Sequence, residues 1–434
     1  MQMSGRLAAA IEVLDDITNR HRPASTALRD WGRAHRFAGS GDRAAIGNIV
    51  FDALRNKASL SWAMGSDDAR ALGLGVLGFV WGENVDALCD GSKFSPAALS
   101  EEERKCLAEY SPDAAPDWVK GNYPEWMHSS FQVAFGDQVI ENMSALALRA
   151  PVDLRVNTLK TNRDKVLKAL SKFNAVATPH SPLGVRINPS VKDRRNPHVE
   201  ADISHGKGWF EIQDEGSQLA SLVAGVQPGM QICDLCAGAG GKTLAFAAAM
   251  NNKGQIYAFD NDPHRLRPIF ERLKRAGARN VQVIGSEVEE LDALSGRMDM
   301  VFVDAPCSGS GSWRRKPDAK WRLTNRALEK RIEEQRDVLG QATRLVKPGG
   351  RLVYVTCSVL PQENQKQIDW FCQQNSNFAV VPISEAVGDV PGFPADIPGI
   401  AKQTYMTLAP ATSNTDGFFA CVLRNDPNWI KSAP

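Results

Sequence analysis

Apolar residues recur along this chain with two different periods, and the change from one to the other divides it. Leu7, Ile11, Leu14 and Ile17 fall at three- and four-residue steps, and Ile46, Ile49, Val50, Ala53 and Leu54 do the same. Such steps line one face of a helix, and Ser40 or Asp42 is the cap expected for the second one. Few β-branched alternations interrupt residues 1–112, which read as an all-α domain. The Pro- and Trp-rich segment "SPDAAPDWVKGNYPEWM" that follows has the composition of a link between domains. Beyond it, "VDLRVNTLKTNRDKVLKAL" reads as strand, turn and helix, and "GVRINP" and "GWFEIQDEGSQLASLVAG" supply further pieces. Residues 113–208 are therefore expected to hold a linker and a small α/β module.

From residue 209 to 434 short apolar strands alternate with amphipathic helices. "QICDLC" precedes "TLAFAAAM", "QIYAFD" precedes "PHRLRPIFERLKRAG", and "DMVFVDAPC" precedes a long helix over about 325–346. "RLVYVTCS" then leads to "PQENQKQIDWFCQQ". This rhythm predicts an α/β domain with a doubly wound, mostly parallel, Rossmann-like sheet. In such sheets ligands bind beyond the carboxyl ends of the strands. Two of these ends carry thiols: "VFVDAPCSGSG" places Asp304 and Cys307 there, and "VYVTCS" places Cys357.

Composition narrows the class. In 434 residues, 43% are hydrophobic and 23% charged, as in an ordinary globular protein. The net charge of +1 argues against bulk electrostatic binding of nucleic acid, so such a partner must be met by a local patch. The apolar run Ala71 to Gly82 is too short to cross a bilayer, and acids interrupt the apolar residues of the first turns. A cytoplasmic, monomeric protein without a membrane partner is expected. Its eight cysteines then read as free thiols. Cys233 and Cys236 form a lone C-x-x-C whose nearest histidine is His205, so burial is expected there and no metal site.

"DLCAGAGGKT" follows the first of these strands and opens a helix, where glycines bring backbone N–H groups close to a ligand. A P-loop aligned on Gly241-Lys242-Thr243 would need glycine at Cys236, and that reading fails. A dinucleotide fingerprint on Gly238 and Gly240 would need a third glycine where Thr243 stands. An S-adenosylmethionine site needs the loop and an acid ending the next strand to accept the ribose hydroxyls, and Asp260 stands there.

Neighbouring strands lie about 4.8 Å apart, so Cys307, Cys357 and Asp304 can converge on one planar substrate. Methylation at carbon 5 of a pyrimidine calls for that convergence. Carbon 5 is a poor nucleophile until a thiolate adds to carbon 6 and makes it enamine-like. A second group must help the carbon 5 proton and the thiol to leave, and a carboxylate can serve ring nitrogen 3.

At these residues the chain resembles the Sun/RsmB family of RNA cytosine-5 methyltransferases. The resemblance rests on "DLCAGAGGKT", "DAPCSGSGSWRRKP", "VYVTCS" and "TDGFFACVLR", with "LRVNTLK" and "QDEGSQ" upstream, and covers about residues 150–425. More weakly, the helical N-terminus resembles the NusB-like RNA-binding domain of some members. The resemblance implies a class I methyltransferase sheet, S-adenosyl-L-methionine as cofactor, and RNA as substrate, with rRNA preferred over tRNA. It implies that Cys357 is the nucleophile, that Cys307 assists product release, that Asp304 contacts the base and that Lys242 lies in the active site. The implied cofactor set is Cys236, Ala237, Gly238, Ala239, Gly240, Gly241, Lys242, Asp260, Arg265, Ser286, Glu287 and Asp304. Two positions depart from the family: Gly238-Ala239 replaces its usual Ala-Pro, and Ser286 and Glu287 stand where an aspartate usually ends strand three.

"WRRKPDAKWRLTNRALEKR", Trp313 to Arg331, carries eight Lys/Arg against Asp318 and Glu329. Its arginines are expected to guide phosphates, and Trp313 and Trp321 are candidates either for base stacking or for the core. The competing readings are a non-catalytic RNA-binding or ribosome-assembly factor, and a tRNA- or DNA-directed cytosine-5 methyltransferase.

Overall fold

The computed structural model describes residues 1–426 apart from 196, 286–287, 389–392, 394–396, 398–399 and 401–402. The described residues form two compact units. One comprises 1–150, 189–197 and 313–323, and the other 151–188, 198–312 and from 324 onward. This division differs from the three parts expected of the sequence. Helical structure continues to Ala147, and the segment after residue 110 is no linker, because Val119, Tyr123 and Met127 are buried.

In the helical unit the periodic residues do what their spacing requires. Helix Met3–Arg20 buries Leu7, Ala10, Leu14 and Ile17, and helix Ser40–Arg55 buries Ile46, Ile49, Val50 and Ala53 in the same core. Gly39, not Ser40 or Asp42, occupies the cap position, and no side chain caps that helix. Asp52 is the polar hub of the unit: its carboxylate accepts from Arg55, Arg149 and the Trp81 indole.

The basic stretch is partly an element of this core. Trp313 is only 1% exposed and packs edge-on to Phe131. Trp321 donates its indole N–H to the Leu54 carbonyl at 2.6 Å, and Lys320 donates to the carbonyls of Arg55 and Asn122. Burial lowers the Lys320 ammonium well below its ordinary pKa. Of the two roles open to these tryptophans, Trp313 takes the core one, and half-buried Trp321 packs against the same helical core.

The second unit contains two sheets. The smaller joins β1 (Val152–Val156), β2 (Val176–Ala177), β3 (Gly184–Ile187) and β4 (Phe210–Ile212) in the antiparallel order β2-β3-β1-β4. β4 lies beyond the boundary drawn at 208, yet pairs with β1. Asp153 and Arg186, opposite each other on β1 and β3, form a buried bidentate ion pair at 2.7 Å.

The larger sheet comprises β5 (Gln231–Asp234), β6 (Gln255–Ala258), β7 (Val281–Val283), β8 (Met298–Asp304), β9 (Val346–Thr356), β10 (Phe378–Val381), β11 (Met406–Leu408) and β12 (Phe418–Asn425). Among the described residues its order is β10-β12-β9-β8-β5-β6-β7, with β11 on β12. β5 to β9 are parallel and β12 runs against β9. Alternation along β8 sends Met300 and Phe302 into one core with Leu219 and Phe246, and Val301 and Val303 into another with Leu339 and Phe371. Both faces are covered by helices, which is why the strands read as continuous apolar runs. Chain order reverses between β5 and β8, the switch point at which such folds open a ligand crevice.

Candidate active site

The ends of β8 and its neighbour β9 lie beside that switch point. β8 ends on Asp304 and β9 on Thr356, with Asp304 opposite Val355 in parallel register. The loops that follow bring Cys307 Sγ to 3.4 Å from Cys357 Sγ. Both thiols are half-buried. The sulfur–sulfur contact, then burial, holds the Cys307 thiol well above its usual pKa. Beside them the Lys242 ammonium donates to Asp304 Oδ2 at 2.5 Å and sits over the Phe418 ring. Lys242 is 10% exposed and Asp304 34%, so the carboxylate is the member of the pair a substrate can reach.

The loop behind Cys307 is built from close backbone approaches. Gly311 N–H donates to the Cys357 carbonyl, and its own carbonyl accepts from Gly417. A Cβ on Gly311 would lie 2.1 Å from the Gly417 carbonyl oxygen, so a side chain is excluded there. This contact joins the "APCSGSG" loop to "TDGFF" across more than a hundred residues of sequence.

The glycine loop runs from Leu235 to Gly240 and enters helix Gly241–Ala249. Asp260, only 1% exposed after β6, accepts the Gly238 N–H at 2.9 Å and the Asp262 N–H at 3.0 Å. Arg265 Nη1 lies 3.4 Å from Oδ2, the same oxygen that accepts the Gly238 N–H. Ala237 N–H bonds the Phe259 carbonyl, while Arg272 and Arg155 hold the carbonyls of Ala239 and Gly241. Gly240 takes φ +82°, and a Cβ there would meet Ile269 at 2.5 Å. A Cβ on Gly238, at φ +51°, would stand 3.5 Å from Arg265 and 3.9 Å from Asp260. Asp234, at the base of the loop, keeps one buried carboxylate oxygen without a partner while the other accepts from Thr243. A glycine cradle, a buried acid for hydroxyls and an unspent carboxylate oxygen fit S-adenosylmethionine.

The structure therefore pairs Cys307 with Cys357 and Lys242 with Asp304 at the ends of adjacent strands, and gathers Gly238 and Arg265 around Asp260. Cys236, half-buried, has its thiol pushed well up by burial and by Asp260. Ser286 and Glu287 lie outside the described residues. Sequence reasoning missed Asp234 with Thr243, and the buried Glu363 and Gln335 beneath the Cys307 loop. Asp234 stood inside the glycine motif and was legible there. Glu363, six residues past Cys357 in "CSVLPQEN", was visible only as a polar break before a helix.

This fold and site define an S-adenosylmethionine-dependent methyltransferase of the Rossmann-like class. Residues 222–424 match a family model described as 16S rRNA methyltransferase RsmB/F, and residues 123–192 one described as an RsmF/B-like, ferredoxin-like domain. The chain belongs to the RsmB/F methyltransferase family. It is 29% identical over 308 residues to a probable ribosomal RNA small subunit methyltransferase B of Synechocystis, covering 70% of this chain and 67% of that one. It is 32% identical over 313 residues to ribosomal RNA small subunit methyltransferase B of Sodalis glossinidius, covering 71% and 66%. The chain thus spans about two thirds of the length of these relatives. A crystallised methyltransferase homologue from Pyrococcus horikoshii is similar at 27% identity and a TM-score of 0.59, over 73% of this chain and all of that one. Among the described residues no helix is long and apolar enough to cross a membrane.

Proposed function

We propose that this protein methylates carbon 5 of a cytidine in small-subunit ribosomal RNA through a covalent adduct on Cys357. The observation that carries the reading is the 3.4 Å contact of two thiols from adjacent parallel strands, beside an acid tied to a lysine. Two inert core cysteines would not need such company.

Cys357, as thiolate, is the nucleophile in this reading, with the Cys307 sulfur 3.4 Å away to assist release. Its attack on carbon 6 pushes ring electrons toward nitrogen 3, which takes a proton from the Lys242–Asp304 pair. Carbon 5 is then nucleophilic. The bound S-adenosylmethionine, held by the glycine loop and Asp260, supplies an electrophilic methyl group. Afterwards the carbon 5 proton returns to the Asp304–Lys242 pair and its electron pair re-forms the carbon 5–carbon 6 double bond. The carbon 6–sulfur bond breaks with its electrons on Cys357, whose departure Cys307 assists by donating its S–H. The proton on nitrogen 3 passes to water, and the proton on Cys357 passes back across the sulfur–sulfur contact to Cys307, which restores the starting state.

RNA carrying 5-azacytidine should form a denaturation-resistant adduct with the wild-type protein, because the nitrogen at ring position 5 has no proton to give up. On ordinary RNA, Cys307→Ala should accumulate covalent complex and Cys357→Ala should form none. The opposite pattern for the two variants would reverse their roles, and no wild-type adduct on small-subunit rRNA carrying 5-azacytidine would defeat the mechanism. Bisulfite sequencing of total RNA with and without the protein identifies the cytidine and separates rRNA from tRNA.

A further inference from the structure

Glu363 is fully buried and cannot touch a substrate, yet its carboxylate is hydrogen-bonded to Ser308, the residue next to Cys307, and to Gln335. Oε1 accepts the Ser308 N–H at 2.8 Å and Gln335 Nε2 at 3.0 Å, and Oε2 accepts the Ser308 hydroxyl at 2.5 Å. Gln335 also donates to the Pro306 carbonyl at 2.9 Å. The residues on both sides of Cys307 are therefore tied to one carboxylate–amide pair. Ser308 and Ser310 in turn meet the Ser358 hydroxyl, next to Cys357, at 3.4 and 2.9 Å.

Glu363 is itself held from behind. Its carbonyl accepts the Tyr354 hydroxyl at 2.7 Å, and its neighbour Asn364 bridges the Thr356 hydroxyl and the Ser358 carbonyl. Burying a carboxylate is costly, and this one has its pKa raised by that burial. A fold keeps such a group where several donors need one fixed acceptor.

We propose that Glu363 is a positioning residue for Cys307: through Ser308 and Gln335 it sets that thiol against Cys357 for the release step. The inference rests on the mechanism proposed above, in which Cys307 donates S–H to Cys357 as the carbon 6–sulfur bond breaks. Attack by Cys357 needs no such donation. Loss of Glu363 should therefore slow release far more than adduct formation.

The test compares wild type, Glu363→Ala, Glu363→Gln and Cys307→Ala on transcribed small-subunit rRNA with S-adenosylmethionine. Covalent RNA is read on denaturing gels, and adduct formation is timed separately on 5-azacytidine RNA. Glu363→Ala is expected to slow release about a hundredfold and accumulate covalent rRNA, as Cys307→Ala does, with azacytidine capture within about threefold of wild type. Glu363→Gln keeps one acceptor oxygen for Ser308 and should fall between the two. The inference is overturned if both Glu363 variants release RNA at the wild-type rate, or lose azacytidine capture as fully as turnover. If Cys307→Ala itself accumulates nothing, the role given to Cys307 fails, and the inference with it.

Discussion

Replacing Asp234 with asparagine should remove a pH-dependent loss of stability built into the cofactor loop. The carboxyl is 1% exposed at the end of β5, with one oxygen on the Thr243 hydroxyl at 2.6 Å and the other unpartnered. Burial, opposed by that hydrogen bond, pushes its pKa from the ordinary 3.8 up to about 7. The folded protein thus keeps a proton that the unfolded chain releases near pH 4. Ionisation favours the unfolded state, so stability falls as pH rises from about 4 and levels off above about 7. At 1.36 kcal/mol per decade the full loss is about 4 kcal/mol. An amide is neutral throughout and can still accept from Thr243. Urea unfolding of both proteins from pH 4 to 8 isolates the effect, since other titrating groups cancel in the difference. The variant should gain about 4 kcal/mol on the wild type between the two ends. A difference that stays constant with pH would refute the reasoning.

Two further outcomes follow from particular contacts. Gly240→Ala forces a side chain into a left-handed conformation and against Ile269, so it should cost at least about 1–2 kcal/mol and weaken binding of S-adenosylhomocysteine by calorimetry. An unchanged melting temperature and affinity would contradict the loop's geometry. Asp153→Ala removes the 2.7 Å partner of the Arg186 guanidinium, 6% exposed, and leaves it a 3.4 Å contact to Glu215. It should cost about 3–5 kcal/mol in denaturant unfolding, and a loss under about 1 kcal/mol would show that the pair is not a buried charge problem.

Much of the architecture was legible in the order of residues. Periods of 3.6 and 2 are local properties, so Leu7 to Ile17 announced a helix face and "VFVDAPC" a strand. The glycine motif with Asp260 twenty-two residues past Gly238 announced the cofactor loop, and the loop-to-acid bond is present at 2.9 Å. Two thiols at strand ends announced their own meeting as soon as those strands were taken as neighbours, and the sulfurs lie 3.4 Å apart. Within Trp313 to Arg331, residue type alone could not tell exposed Arg326 and Lys330 from Lys320, whose ammonium is capped by two carbonyls.

Tertiary structure decided what depends on residues remote in sequence. Glu363 meets Ser308 across 55 positions, and Lys242 meets Asp304 across 62. Gly311 and Gly417 had to lose their side chains to each other's backbone, a fact no motif length contains. Neighbours along the chain choose helix or strand through local sterics. A buried charge or a missing Cβ is selected only by whatever the completed sheet brings beside it.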